Sequence, residues 1–313
     1  MQSDLAFIFP GQGSQKEGML AELAAEHLSI QANFHEASEI LGYDLWGLCQ
    51  SDPDNKLALT HITQPAILTA SVALWRLWLE QGGSQPGLMA GHSLGEYSAL
   101  VSAGVLAFQD AVMLVQKRGE FMQSAVPVGV GAMAAIVGLE DADVIAACEE
   151  AAGEEVVAAV NFNSPGQVVI AGHVEAVNRA IELCKTKGAK RALPLPVSAP
   201  FHSALMKPAA DRFAEVLADI HLNAPVIPVL QNYSLQLTTG DTEIIRENLI
   251  KQIYSPVPWV ETIGHFAQAG VKRVIEVGPG KVLCGLNKRI APDMEALTIN
   301  DSVSLSAALQ NNQ

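Results

Sequence analysis

The chain has 313 residues, of which 49% are hydrophobic and 17% charged, and its formal net charge is −14. This length and hydrophobic content are typical of a globular protein with one large domain and an insert or neighbour, and the acidic balance argues against nucleic acid as a partner. We expect no signal peptide, because no basic region precedes the apolar run at 5–9, and no membrane span, because charges or glycines interrupt the apolar helices.

Cysteine usage favours a reducing compartment. Cys49, Cys148, Cys184 and Cys284 are scattered, without a CxxC motif or paired spacing, and are typical of thiols in the cytoplasm. No cluster of His, Cys, Asp and Glu has the spacing of metal ligands, so we predict that no metal is bound.

The first 127 residues show an α/β pattern. An apolar run predicts a buried strand at 5–9 that ends at Pro10-Gly11. Helical periodicity predicts helices over 17–28, 30–41 and 64–81. A short apolar strand at 87–90 follows, with helices predicted over 96–103 and 108–124.

The segment after the strand at 87–90 reads Gly91-His92-Ser93-Leu94-Gly95, which fits the pattern G-x-S-x-G. A strand, a tight turn and a helix with this pattern form a nucleophile elbow, in which small flanking residues let the two backbones pass closely. Ser93 then presents its hydroxyl, and the Leu94 N–H at the helix N-terminus faces the same space as an oxyanion donor. The alternative is a glycine-rich turn that serves packing only.

Residues 128–197 show a different order of predicted strands and helices. Strands are predicted at 132–137, 155–160, 167–171 and 191–197, with helices over 141–152 and 174–187 and a turn at 163–166. The order β-α-β-β-α-β is that of a ferredoxin-like unit. The α/β pattern resumes with helices over 205–220, 244–253 and 259–269 and strands at 226–230 and 272–277. We therefore predict an α/β hydrolase-like large subdomain with a parallel sheet, formed by 1–127 and 198–313, and an inserted ferredoxin-like small subdomain at 128–197.

A serine nucleophile needs a base, and His202 is the candidate among the histidines. It lies in a loop ahead of a helix where the chain re-enters the large subdomain, a position typical of cleft residues. No Asp or Glu between Ser93 and His202 stands at a strand end, as α/β-hydrolases require, which counts against an ordinary esterase. A backbone or amide carbonyl can orient the imidazole instead.

Besides the G-x-S-x-G motif, further short motifs follow one another along the chain, giving seven sequence blocks in all. They are FPGQGSQ at 9–15, GHSLGEY at 91–97, QKRG at 116–119, NFNSPGQ at 161–167, Phe201-His202, QIYSPVPW at 252–259 and EVGPG at 276–280. With these blocks the chain resembles the malonyl-CoA:acyl-carrier-protein transacylases, the acyltransferases of type II fatty acid synthesis, almost end to end. The fold of that family, a hydrolase-like core with a ferredoxin-like insert, agrees with the predicted elements.

The resemblance implies a role for each matching residue. Ser93 would be the nucleophile and His202 its base, and the Gln252 carbonyl would orient the imidazole ring. The backbone N–H groups of Gln12 and Leu94 would form the oxyanion hole. Without the resemblance, the loop of Gln12 is typical of a simple turn.

Arg118 carries the specificity that the resemblance implies. On its own, an arginine in the mostly apolar helix 112–122 is typical of a solvated face. In the family, the matching arginine forms a bidentate pair with the malonyl carboxylate, and an acetyl group would leave it unpaired. Phe201 resembles the bulky residue of malonyl-using relatives, and a methyl branch on the substrate should clash with it.

The implied reaction transfers malonyl from malonyl-CoA to the phosphopantetheine thiol of acyl carrier protein through a malonyl-serine ester, without metal, nucleotide or redox cofactor. We expect a cytoplasmic monomer. Because the carrier proteins of this family are acidic, docking requires cationic side chains. Two clusters are candidates, one of Lys185, Lys187, Lys190 and Arg191 and one of Lys281, Lys288 and Arg289, although cations also favour helix C-termini for electrostatic reasons.

Three other functions share part of this pattern. A serine esterase or thioesterase would share the elbow but should have a carboxylate partner. An acyltransferase of a polyketide pathway would share every motif, although a chain that starts at Met and ends without a linker favours a free-standing enzyme. A non-catalytic carrier-binding protein fits least, because the candidate nucleophile, base and anchor are all present.

Overall fold

The computed structural model describes residues 2–197 and 199–311. Ser198, at which the predicted large subdomain resumes, lies outside the described residues, as do Met1 and residues 312–313. The strands are β1 Gln2–Phe9, β2 Pro86–Gly91, β3 Gly131–Val137, β4 Val157–Ser164, β5 Gln167–His173, β6 Arg191–Pro194, β7 Val229–Leu230, β8 Arg273–Glu276 and β9 Glu295–Thr298.

The helices surround and connect these strands. They are α1 Ala21–Glu26, α2 Leu28–Leu41, α3 Leu45–Gln50, α4 Thr60–Glu80, α5 Gly95–Ser102, α6 Phe108–Gln123, α7 Asp141–Ala152, α8 Val174–Thr186, α9 Lys207–Ala218, α10 Thr242–Gln252, α11 Trp259–Gln268, α12 Val282–Ile290 and α13 Ser302–Gln310. Short 3-10 turns cover Lys56–Ala58 and Ala204–Met206. Within residues 2–197 and 199–311, no helix combines the length and apolar character needed to cross a bilayer.

The larger sheet is parallel throughout. In the described residues it has five strands in the order β7-β2-β1-β8-β9. Its central strand is buried from Leu5 to Phe9, since helices cover both faces of a parallel sheet. Phe9 pairs with Gly91, so β1 and β2 end side by side. The loops that follow these strands therefore leave from the same edge of the sheet, where α/β proteins place their ligands.

Helix α4 is the centre of the main hydrophobic core. Nearly every side chain between Ile62 and Trp78 is buried, as expected for a helix that is apolar all round. Trp75 and Trp78 both meet the ring of Phe7 edge-on, at centroid distances of 5.5 Å. This packing fixes α4 against the central strand, and with it the polar residue Gln64 near the start of the helix.

The smaller sheet has the ferredoxin-like order. Its four strands within the described part of the chain are antiparallel and lie in the order β4-β5-β3-β6. On β5, alternate side chains face two different cores. Val168 and Ile170 pack with α7 and α8, whereas Val169 and Ala171 belong to the main core.

The predicted fold class is confirmed. The subdomain ends at 128 and 197 stay a prediction, because the strands do not mark where a subdomain begins or ends.

Several predicted boundaries were wrong for identifiable reasons. The strand expected at 155–160 extends to Ser164, which pairs with Gln167, so the turn is narrower than predicted. The strand expected at 226–230 is reduced to Val229–Leu230, because Pro225 and Pro228 have no N–H to donate. The helix expected over 17–28 shortens to Ala21–Glu26 behind the left-handed residues Gly18 and Leu20.

Candidate active site

Ser93 lies at the turn between β2 and α5 with a φ of 52°, a left-handed conformation that is uncommon for a residue other than glycine. The flanking glycines permit this turn. A Cβ on Gly91 would overlap the backbone of Gly95, and a Cβ on Gly95 would overlap the carbonyl of Phe9. The predicted nucleophile elbow is therefore the observed backbone, and larger side chains at either glycine would break it.

Asn232 braces the elbow from the neighbouring strand. It follows β7, and its Oδ1 accepts a hydrogen bond from the Ser93 N–H at 2.8 Å while its Nδ2 donates to the Gly91 carbonyl at 2.7 Å. Sequence reasoning missed this residue. The available signal was a polar pair, Gln231 and Asn232, directly after a strand at the carboxyl edge of the sheet.

His202 lies within hydrogen-bond distance of the Ser93 hydroxyl. Ser93 Oγ is 2.7 Å from His202 Nε2, and His202 Nδ1 is 2.9 Å from the main-chain carbonyl of Gln252. A carbonyl only accepts, so Nδ1 carries the proton and Nε2 offers its lone pair to the serine. These three predicted residues are brought together, and the geometry is that of a nucleophile, a base and a group that orients the base.

The imidazole of His202 is kept neutral. Its side chain is buried, and burial together with the field of the Arg118 guanidinium lowers the pKa of His202 to about 3. The ring is therefore unprotonated at neutral pH, with the Nε2 lone pair free for the serine proton, and an imidazolium formed in the reaction would return its proton readily.

Arg118 is buried in α6 with 1% of its surface exposed, so the solvated-face alternative is wrong. Its Nη1 donates to Gln64 Oε1 at 2.9 Å, and its Nη2 donates to Gln252 Oε1 at 2.9 Å and to Ser93 Oγ at 3.2 Å. In the described part of the chain, Arg118 Nε has no hydrogen-bond partner. A buried guanidinium surrounded by neutral oxygens, with one donor unused, can bind an anion directly beside the nucleophile.

The loop after β1 carries Gln12 toward the same place. A Cβ on Gly11 would lie 2.7 Å from the His92 carbonyl, so this loop passes against the end of β2. Gln12 Oε1 accepts from Gln64 Nε2 at 3.3 Å. Among the described residues, no acceptor is found for the backbone N–H of Gln12 or of Leu94. Both N–H groups are therefore available to a ligand, as an oxyanion hole requires.

Phe201 is buried beside His202 and belongs to the main hydrophobic core. Its own N–H donates to the Ala199 carbonyl at 3.0 Å, which tightens the loop that carries the histidine. This packing accounts for an apolar side chain at 201. Its proposed clash with a branched substrate stays a prediction.

His92 connects the elbow to the smaller sheet. Its Nε2 lies 2.8 Å from Oδ1 of Asn163 on β4. Close by, Val257 donates its N–H to Val160 at 2.8 Å and accepts from Phe162 at 3.0 Å. The smaller sheet is thus hydrogen-bonded to the large core next to Ser93.

Three comparisons with known proteins agree on one family. The family described as the acyl transferase domain matches residues 6–298. The chain is 59% identical over 307 residues to the malonyl CoA-acyl carrier protein transacylase of Salmonella typhimurium, covering 98% of this chain and 99% of that protein. An acyl carrier protein S-malonyltransferase of Vibrio cholerae, solved by crystallography, is 56% identical with a TM-score of 0.95, covering 97% of this chain and 99% of that one.

A further solved structure holds a malonyl-transacylase in complex with a type II PKS acyl-carrier protein. It is 54% identical to this chain with a TM-score of 0.97, and it covers 99% of this chain and 100% of that one.

Proposed function

The chain belongs to the acyl transferase family, among the malonyl CoA-acyl carrier protein transacylases, and from this membership we propose that it makes a malonyl ester on Ser93 and passes the malonyl group to acyl carrier protein. One observation carries the proposal for the site. Ser93 Oγ is 2.7 Å from the base His202 and 3.2 Å from Nη2 of the buried Arg118. In malonyl a single methylene separates the reacting carbonyl from the carboxylate, so its anchor must lie beside the nucleophile.

In the first half-reaction Ser93 Oγ attacks the thioester carbon of malonyl-CoA, and its proton passes to His202 Nε2. The oxyanion that forms is stabilised by the N–H groups of Gln12 and Leu94. The C–S bond then breaks, and the CoA sulfur takes the proton from the imidazolium. In the second half-reaction the phosphopantetheine thiol of acyl carrier protein attacks the malonyl ester and gives its proton to His202. The bond between the acyl carbon and Ser93 Oγ then breaks, and Oγ takes the proton back from the imidazolium.

The carbonyl of Gln252 has the place that a carboxylate has in many serine hydrolases. It fixes the imidazole tautomer through Nδ1 but adds no negative charge, which agrees with the low pKa of His202. This arrangement counts against the esterase alternative, because the site recognises the acyl group through a cation and orients the base through a neutral group.

Arg118 selects the acyl group. A carboxylate can accept hydrogen bonds from Nε, which is unused in the described residues, and from Nη2 of the same guanidinium edge. An acetyl group offers no charge to this buried cation. We therefore assign to Arg118 the preference for malonyl over acetyl thioesters.

One residue of each predicted cationic cluster lies near the same turn of the smaller sheet, the turn between β4 and β5. The side chain of Lys190 packs against Gly138, whose N–H donates to the Gly166 carbonyl at 2.7 Å. Arg289 Nη1 donates to Oε1 of Gln167, the residue after that turn, at 2.8 Å. Lys190 and Arg289 are both exposed, so one acidic partner can contact both clusters. We propose this surface for the docking of acyl carrier protein.

The oligomeric state, the compartment and the pathway of the enzyme are also part of the proposal. We propose that the enzyme works as a monomer in the cytoplasm and supplies malonyl groups to fatty acid synthesis. The four cysteines are free and buried, which supports a reducing compartment. Supply of a polyketide pathway is the second candidate, because the relative solved with its partner is bound to a type II PKS carrier.

The experiment that tests the proposal measures intact-protein mass after brief mixing with malonyl-CoA. We expect wild type to gain one malonyl group, Ser93→Ala to gain none, and added holo acyl carrier protein to remove the label. A labelled Ser93→Ala variant, or a label that the carrier cannot discharge, would overturn it.

A further inference from the structure

Glu96 is a buried carboxylate that the proposed reaction does not use. It lies in the first turn of α5 and is 0% exposed. Its oxygens accept hydrogen bonds from Gln252 Nε2 at 2.7 Å, from Asn232 N–H at 3.1 Å and from Gln231 Nε2 at 3.3 Å. Burial raises the pKa of Glu96 to about 7, although these bonds and Arg118 favour the charged form. Burying a carboxylate costs free energy, so its presence beside the site calls for a reason.

Gln252 is the residue through which Glu96 reaches the site. Its main-chain carbonyl orients His202, as described above, and its side-chain Oε1 accepts from Arg118 at 2.9 Å. Its Nε2 donates to Glu96 and also to the Ser93 carbonyl at 2.9 Å. One glutamine therefore contacts the base, the cation and the nucleophile turn, each through a different atom.

The side-chain amide of Gln252 can in principle point either way, because its oxygen and nitrogen ends have nearly the same shape. Glu96, the Ser93 carbonyl and Arg118 all favour the same direction, and Glu96 makes the shortest of the three contacts, at 2.7 Å. A carboxylate only accepts, so it holds the NH2 group toward itself and leaves the oxygen for Arg118. The reversed amide would present N–H groups to a guanidinium that can only donate, and a buried donor facing a donor is unfavourable.

We propose that Glu96 is a positioning residue that locks the Gln252 amide and thereby holds Arg118 and His202 in the geometry needed for malonyl transfer. Its negative charge also compensates the buried guanidinium across the Gln252 amide. The inference rests on the proposed function, since it assigns to Glu96 an effect on malonyl selection. A role in folding alone would not alter which acyl group the site prefers.

The test compares Glu96→Gln with a matched control, Glu276→Gln. Glu276 is also a glutamate with 0% exposure whose pKa burial raises to about 7. In the described part of the chain it accepts a hydrogen bond from the Cys284 N–H at 2.8 Å, away from Gln252 and Arg118 in the hydrogen-bond network. For each variant, the rate of acyl-serine formation is measured by rapid-quench mass spectrometry with malonyl-CoA and with acetyl-CoA. Thermal melting establishes that each variant is folded.

We expect Glu96→Gln to slow malonyl-serine formation roughly tenfold or more and to reduce the malonyl-to-acetyl rate ratio, because one amide oxygen cannot replace the carboxylate. Glu276→Gln should keep the wild-type ratio. A Glu96→Gln variant with an unchanged ratio, or equal changes in both variants, would overturn the inference.

A second variant tests the route through Gln252 and covers the case in which Glu96→Gln does not fold. Gln252→Leu removes the side-chain amide but keeps the main-chain carbonyl, and it should reduce the ratio by itself. In the double variant the two effects should not add, because both act through one contact. Additive effects, or a Gln252→Leu variant with the wild-type ratio, contradict it. Absence of any label on wild type would instead overturn the proposed function.

Discussion

The two sheets contribute to the site in different ways. The parallel sheet brings strand ends together, so the loops that carry Gln12, Ser93 and Asn232 leave from one edge. The antiparallel sheet has a core of its own under α7 and α8 and reaches the elbow through a few hydrogen bonds, among them His92 to Asn163. The comparison teaches that the large core carries the nucleophile turn and the residues that brace it, whereas the smaller sheet is joined to that turn by a few hydrogen bonds.

The largest effects should follow changes at the reacting atoms on the large core. Ser93→Ala and His202→Ala should each lower the rate of malonyl transfer by about 10⁴-fold or more, because nucleophile and base act as a unit. Steady-state transfer to holo acyl carrier protein measures this. A variant within tenfold of wild type would break the assignment of reacting atoms to this region.

Arg118→Ala should lower kcat/KM for malonyl-CoA about 10²- to 10³-fold and leave the low activity with acetyl-CoA largely unchanged, because only the charged substrate loses its anchor. The control is Arg76→Ala, which removes an arginine that pairs with Glu36 at 3.1 Å. Parallel losses with both thioesters would mean that Arg118 supports the fold rather than selecting the substrate.

The pH dependence of acylation should distinguish the role of His202 from that of Glu96. The pKa of His202 is lowered to about 3, so this base stays neutral as pH falls from 8 to 5. The pKa of Glu96 is raised to about 7, so below that pH the carboxyl is protonated, loses its negative charge and gains an O–H that donates instead of accepting. We expect kcat/KM for malonyl-CoA to fall as pH drops through about 7 in wild type and to stay flat in Glu96→Gln. The same decline in both proteins would remove Glu96 as its cause.

Asn163→Ala should have a smaller effect, a few-fold loss in acylation rate, because it removes one hydrogen bond between the smaller sheet and the elbow, worth about 1 kcal/mol. Single-turnover labelling with malonyl-CoA is the measurement. A loss as large as that of Arg118→Ala would show that the smaller sheet also holds the reacting atoms.

The smallest effect on chemistry should come from the exposed cations. Lys190→Glu with Arg191→Glu should raise KM for acyl carrier protein and leave the formation of the malonyl-serine ester unchanged. Lys56→Glu, which reverses an exposed lysine paired with Asp54 at 3.0 Å, is the control for a charge reversal elsewhere on the surface. Carrier kinetics equal to the control would exclude this surface from docking.

Local patterns predicted much of this structure. The elbow could be found from sequence because its strand, turn and helix are contiguous, and the βαββαβ unit because each element carries its own periodicity. The helices Leu45–Gln50, Val282–Ile290 and Ser302–Gln310 and the strand Glu295–Thr298 were not predicted. These elements are short, and their patterns are weaker than those of the long helices.

The partners of the buried charges could not be predicted, because they depend on distant parts of the chain. Arg118 donates hydrogen bonds to side-chain oxygens of Gln64 on α4 and Gln252 on α10, and only the packed structure brings these helices together. A single arginine in an apolar helix has the same sequence pattern whether it faces solvent or a cleft. The role of Gln252 came from family resemblance, since a main-chain carbonyl has no sequence signature.

The most direct test of the central claim, that Ser93 and Arg118 together select malonyl, is a competition. Wild type and Arg118→Ala are mixed briefly with equal concentrations of malonyl-CoA and acetyl-CoA, and the mass of the acylated peptide containing Ser93 is determined. We predict that wild type carries almost exclusively malonyl on Ser93 and that Arg118→Ala loses this preference. Equal malonyl and acetyl labelling of wild type would contradict the account.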